Sequence, residues 1–383
     1  MKKHIKITQL LPVLFGFFVM GFVDIVGIST SYVKNDFALS DTLANLLPMM
    51  VFLWFAVFSL PTGIFMGKAG RKKTVLVSCI ITTVAMIIPM VTYTFPFVLF
   101  AFALLGIGNT ILQVSLNPLV TDIVPENRIT STLTLGYFVK AVSSFLGPVL
   151  ISVVAGFWGN WKFVFLIYAA TTVISLVWLW LTPVKEKTTD VKPESGSGKI
   201  ISLLKNRLLL CLFSVILLSV GFEVGLMTAV PKYLQERFLM PLEQGGMGCS
   251  VYYAARTLGT LIGSVLLVYL SSRKFMIVTV AGAMVSFILL LLSWDSWIFM
   301  VSLFFLGLMF ANVFSIAFSN ALKVIPSKAN EISALMITGV AGGALIPPVM
   351  GVIADAGGQL ASFSVLLVAL AYIFWASVSF IQK

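Results

Sequence analysis

One histidine, three cysteines and 14 carboxylates are all that 383 residues offer for metal, redox or acid–base chemistry. Charged residues make up only 10% of the chain, against about 25% in soluble globular proteins. No nucleophile–base–orienter set and no cluster of metal ligands appears, so the sequence argues against an enzyme and predicts no cofactor and no metal. Cys79, Cys211 and Cys249 lie in or at the edge of apolar runs. They read as small packing residues rather than a disulfide framework.

Apolar residues fill the space that charge leaves. They make up 59% of the chain, with a mean hydropathy of +1.06. They fall in blocks of the length that crosses a hydrocarbon core, about 20 residues for about 30 Å. Backbone in lipid must satisfy its own polar groups, and these runs are too long and too uniformly apolar for barrel strands. The predicted fold is an all-α membrane protein of twelve transmembrane helices. The first set lies near 7–33, 43–66, 74–93, 97–121, 130–155 and 162–181. The second lies near 207–230, 246–270, 275–293, 297–322, 331–354 and 360–381. The basic start and first apolar run mimic a signal peptide. The run passes Tyr32 without a small-residue cleavage site, so it reads as a retained helix.

The net charge of +11 is explained by where the cations sit. Of 25 Lys and Arg, 19 fall at the termini and in the loops that share their side, and Lys34, Lys162, Lys232 and Arg237 fall opposite. The positive-inside rule then places both termini in the cytoplasm of a multi-pass inner-membrane protein. It also removes the case for nucleic-acid binding. Trp158, Trp161, Trp294 and Trp297 near span ends read as an interfacial belt in the lipid bilayer. Pro48, Pro61, Gly147-Pro148 and Pro347-Pro348 read as bend points.

A charged stretch rich in Pro, Gly and Ser, 182–206, divides the chain into halves 1–181 and 207–383. The halves repeat at a shift of about 200 residues. Asp24 falls on Glu223, Pro125 on Pro326, Gly70-Arg71-Lys72 on Ser272-Arg273-Lys274, and Gly147-Pro148 on Pro347-Pro348. Two pseudo-symmetric six-helix bundles in parallel orientation are the architecture of major facilitator transporters, which bind their solute near the membrane midplane. A monomer is expected, because one chain completes that fold.

Four ionisable residues lie inside predicted spans: Asp24, Lys140, Glu223 and Arg256. Each costs about 2.5–3.5 kcal/mol at mid-bilayer unless it faces water, a partner or a ligand. Polar residues at helical spacing accompany them. Asn109, Gln113 and Asn117 share a face of span 4. Tyr137, Lys140 and Ser144 share one on span 5, and Tyr252 lies one turn before Arg256 on span 8. Asn312 opens a stripe on span 10. Two readings stand: structural ion pairs with interhelical polar contacts, or a solute-binding and proton-coupling site. The second is favoured for the convergent set.

These residues resemble the major facilitator superfamily over nearly the whole chain and, within it, the fucose-permease-like group of sugar–proton symporters. Gly342-Gly343-Ala344 with Pro347, Gly351 and Ala354-Asp355 is similar to that group's helix 11 run. Val220-Gly221-Phe222-Glu223-Val224-Gly225 is similar to its helix 7 segment, and Asn117-Pro118 to its helix 4 pair. Gly63, Gly70, Arg71 and Lys72 match the superfamily's motif between helices 2 and 3, with Gly67 in place of its Asp. The site itself departs from the group. Gln113 stands for an acid, Lys140 for an Asn and Thr260 for an Arg. Asp24 and Arg256 each lie about one turn from the group's charged positions.

The resemblance implies proton-coupled import of a sugar or sugar-like polar solute, with two cavity cations suiting an anionic derivative. Asp24 and Glu223 are the candidate proton carriers, since burial raises a carboxylate's pKa. Asp24, Asn109, Gln113, Asn117, Tyr137, Lys140, Glu223, Tyr252, Arg256 and Asn312 are the candidate solute contacts. Arg71, Asp122 and Arg128 form a candidate cytoplasmic gate. An exporter or antiporter of amphiphilic compounds such as drugs or lysolipids, and a non-transporting membrane receptor, remain as alternatives.

Overall fold

The computed structural model describes residues 7–124, 129–184, 186, 202–325 and 329–379. Among these residues every regular element is helical. The first membrane-length run is α1 (Ile7–Met20), a 3-10 turn (Gly21–Ile25) and α2 (Val26–Asp36). Next come α3 (Asp41–Ala44), α4 (Leu46–Ala69), α5 (Arg71–Val91), α6 (Phe95–Ile123), α7 (Ile129–Trp158) and α8 (Phe163–Leu181). The second half holds α9 (Arg207–Phe238), α10 (Leu242–Tyr269), α11 (Ser272–Leu291), α12 (Ser296–Phe310), α13 (Val313–Val324), α14 (Ala329–Thr338) and α15 (Gly342–Ser379).

Ten runs are long and apolar enough to cross a membrane. The last of them, Leu335–Ser379, is 45 residues long and turns sharply at Gly358, where φ is +78°. A side chain at that φ is strained, so glycine is what lets the chain turn without a loop. With α10 as a further long helix, this pattern accommodates the twelve spans expected from the sequence.

Several boundaries differ from those expected. Helix α9 runs through Pro231 to Phe238 instead of stopping near residue 230. Apolar burial on both sides of the proline outweighs the one lost hydrogen bond. The extension draws Lys232, which looked like a loop cation, into a buried position. Helix starts follow local chemistry. Ser40, Asn206, Ser271 and Asp295 each accept a backbone N–H at the head of the following helix, which satisfies donors that a helix cannot pair internally. Trp158, Trp294 and Trp297 are exposed near helix ends, but Trp161 is buried against Phe165 and Tyr93. Trp161 is therefore a core residue: packing between α5 and α8 takes the ring away from the surface. Cys79, Cys211 and Cys249 are free and buried.

Backbone packing divides the chain into two compact units. One comprises 1–25 and 57–194, the other 26–56 and 195–383. The segment 26–56 thus packs with the second half of the chain. In the first unit, a Cβ on Gly21 would lie 2.7 Å from the carbonyl oxygen of Lys140. Only glycine allows α7 to come that close to the 3-10 turn. In the second, a Cβ on Gly27 would lie 2.9 Å from the Met227 carbonyl, which brings α2 against α9 in the same way.

Candidate functional site

The first unit gathers one set of polar residues. The break in helical pairing at Gly21–Ile25 carries Asp24. Its Oδ2 accepts the Ser144 hydroxyl at 2.5 Å, and Ser144 also lies 3.0 Å from the Lys140 carbonyl. On α6, Gln113 donates to Asn109 Oδ1 at 2.7 Å, and Asn117 donates to the Tyr137 hydroxyl at 3.0 Å. Tyr137 is 46% exposed, while Gln113, Asn117 and Lys140 are half-buried. Hydrogen-bonding groups on α6 and α7 therefore remain accessible while being held in place by one another. The Lys140 ammonium has no ion pair among the described residues.

The second unit gathers another set. Arg256 on α10 and Glu223 on α9 form an ion pair at 2.5 Å, with side chains 35% and 15% exposed. Tyr252 lies close enough to feel both charges. Its ring is fully buried, and its hydroxyl finds no hydrogen-bond partner among the described residues.

Two of the expected solute contacts also tie helices together. Asn109 is buried, and its amide donates to the Met20 carbonyl at 2.9 Å. Met20 immediately precedes the 3-10 turn, where regular helix bonding is interrupted. Asn312 is buried at the junction of α12 and α13 and donates to the Gly259 carbonyl at 2.8 Å. In both cases one amide N–H serves a backbone acceptor.

Two of the candidate gate residues, Arg71 and Asp122, pair in the first unit. Arg71 Nη1 lies 2.6 Å from Asp122 Oδ1 and 3.1 Å from the Pro118 carbonyl, with the Asp122 side chain fully buried. Arg128 lies outside the described residues. The same corner holds a residue that sequence reasoning missed. Glu186 accepts the backbone N–H groups of Arg71 at 2.6 Å and Lys72 at 3.1 Å. It caps α5, whose N-cap residue Gly70 has no side chain to do so.

Reading the sequence also missed a network in the second unit, built on Lys34, Asp41, Asn45, Lys232 and Asp355. Asp41 Oδ2 is 2.6 Å from Lys34 Nζ, and Oδ1 is 2.8 Å from Lys232 Nζ. Ordinary acid and base residues near predicted loop ends gave no periodic signal to find them by.

The chain matches the Major Facilitator Superfamily over residues 13–348. It is 27% identical over 376 residues to a glucose/galactose transporter of Brucella abortus, covering 93% of this chain and 90% of that one. It is 26% identical over 370 residues to a putative glucose/galactose transporter of Helicobacter pylori, covering 88% and 87%. Its fold matches that of the E. coli fucose:proton symporter with a TM-score of 0.69 at 16% identity, over the full length of both chains. With the family match spanning most of its length, and with its long apolar helices and paired internal charges, the chain belongs to the Major Facilitator Superfamily of membrane transporters.

Proposed function

We propose that the protein imports a hexose-like sugar across the cytoplasmic membrane, driven by protons, with both termini in the cytoplasm and one chain as the working unit. Two six-helix halves, 1–181 and 207–383, joined by the 182–206 linker, would expose the solute to each side in turn. Support comes from relatives named as glucose/galactose transporters that match along most of the chain. The observation that carries the reading is the Glu223–Arg256 pair, partly exposed on membrane-length helices.

In this reading Gln113, Asn117, Tyr137 and Tyr252 hydrogen-bond sugar hydroxyls. Arg256 is neutralised by Glu223, which favours a neutral sugar, and Lys140 supplies a donor from the other polar set. Asn109 and Asn312 hold the helices that carry these groups. Glu223 and Asp24 carry the proton. A protonated Glu223 releases Arg256, whereas an ionised one holds it, so protonation and solute contact are linked through one side chain.

Reconstituted protein tests this. Labelled glucose or galactose should exchange by counterflow, and an inside-alkaline pH gradient should drive accumulation. Glu223→Gln should keep counterflow and lose accumulation. Absence of counterflow with every sugar would favour a receptor or a carrier of amphiphiles. Counterflow that ignores pH and membrane potential would remove proton coupling.

A further inference from the structure

The two arms of α15, joined at Gly358, line a groove of about 440 Å³ within the second unit. Ile353 and Ser364 lie toward the turn, and Ile346 and Tyr372 lie at the other end with Leu218 of α9. Close glycine contacts hold α9 against the first arm. A Cβ on Gly221 would lie 2.9 Å from the Gly342 carbonyl, and one on Gly225 would lie 2.6 Å from the Met350 sulfur. The groove opens away from the bundle: Val368, on its wall, is 70% exposed. The Tyr372 hydroxyl lies within hydrogen-bonding reach of Ser214 and Cys211 on α9. Arg207, Cys211, Ser214 and Leu218 recur at helical spacing and share one face of α9. Arg207 therefore heads the stripe that meets the groove. It is exposed, as is Lys205 in the 3-10 turn (Ser202–Lys205) just before α9. Neither cation has an ion pair among the described residues.

We propose that this groove holds one acyl chain of an anionic phospholipid, whose phosphate is taken by Arg207 and Lys205. The groove and the cations do different work. Lipid tails are as apolar as the walls of the groove, so no hydrophobic gain selects one lipid over another there. A chain is held by van der Waals fit alone, without regard to its headgroup. The cations make the choice. Lys and Arg beside a membrane surface favour anionic lipid, and the planar guanidinium fork suits two phosphate oxygens at once. The lengths agree. From Ser364 to Tyr372 the groove runs about 12 Å at about 1.5 Å per residue, and Arg207 lies about 6 Å beyond Cys211 on the same scale. Together these are close to the depth of one leaflet, half of a hydrocarbon core about 30 Å thick. The inference rests on the chain's lying in a bilayer and is independent of which solute it carries.

The probe is phosphatidylglycerol, with phosphatidylcholine of the same chains as the neutral comparison. Native mass spectrometry of the full chain in detergent should show the first phosphatidylglycerol bound at least about tenfold more tightly than the first phosphatidylcholine, a preference that added salt reduces. Arg207→Gln combined with Lys205→Gln should bring the two lipids within about twofold of each other. Lys73→Gln, which removes an exposed cation at the head of α5 in the first unit, should leave the preference intact. Val368→Trp fills the groove from its exposed side and should weaken both lipids. Phosphatidylglycerol with a diazirine at the end of its acyl chain should crosslink within residues 346–372. Equal affinity for the two lipids, an equal loss of preference in Lys73→Gln, or crosslinks confined to other helices would overturn the proposal. So would a dimer of the chain that forms at the expense of bound lipid. If Val368→Trp fails to give a monodisperse protein, the crosslink on the parent chain decides the groove and the Arg207→Gln, Lys205→Gln variant decides the headgroup.

Discussion

Arg256 and Glu223 pair across α10 and α9 at 2.5 Å, and the pair is lopsided, with the arginine more than twice as exposed as the glutamate. The guanidinium thus borders accessible space while the carboxylate that neutralises it lies deeper. Arg256→Met removes the ion pair with Glu223 and is expected to lower sugar uptake at least about tenfold, the scale of one lost charge-assisted hydrogen bond. Arg256→Lys keeps charge but loses the planar fork and should recover only part of the activity. Initial rates of uptake in proteoliposomes measure both.

The Arg71–Asp122 pair should matter for stability first. Asp122 is fully buried at its side chain, while that of Arg71 is 16% exposed. Removing one partner of a buried pair costs about 3–5 kcal/mol. Arg71→Ala should therefore lower the melting temperature markedly. Arg71→Lys should remain below wild type, because an ammonium lacks the planar, five-donor fork and the delocalised charge of the guanidinium. Thermal unfolding in detergent gives the comparison.

Asn109→Leu and Asn312→Leu each remove the donor to a buried carbonyl, at Met20 and Gly259 respectively. A loss of about 1–3 kcal/mol is expected for each. As structural ties they should lower the melting temperature while leaving the Michaelis constant of the surviving folded protein near wild type. A selective rise in the Michaelis constant with stability unchanged would return them to the solute site.

Much of this was legible in the sequence for physical reasons. Lipid imposes length and apolarity, so the spans announced themselves. The cost of charge in hydrocarbon singled out Asp24, Lys140, Glu223 and Arg256. What those charges touch was not legible, because partners on other helices leave no spacing in the chain. The backbone contacts of Asn109 and Asn312 were not legible either, because a polar residue on an apolar helix gives the same pattern whether it faces a cavity or a neighbour's backbone. Lys232 was misplaced because Pro231 resembled a helix end. Asp41 and Asp355, 314 positions apart, were invisible as a pair.

Glu186→Ala should uncover the Arg71 and Lys72 amides at the head of α5. The expected loss is about 1 kcal/mol, typical of a removed helix cap. Because the carboxylate is exposed, added salt should shrink the difference. Melting temperatures at low and high ionic strength check both the size and the screening.

The same cap bears on how the protein can be engineered. The chain leaves α8 at Leu181, and its backbone is held at once by Lys72, which reaches the Trp180 and Thr182 carbonyls, and by Gln9, which reaches that of Pro183. Glu186 then returns to α5. Thr182, Pro183 and Glu186 therefore behave as part of the first bundle rather than as tether. A fluorescent tag or protease site placed between the halves should be spliced in after Glu186, where it spares these fastenings. Splicing it directly after Leu181 would sever them.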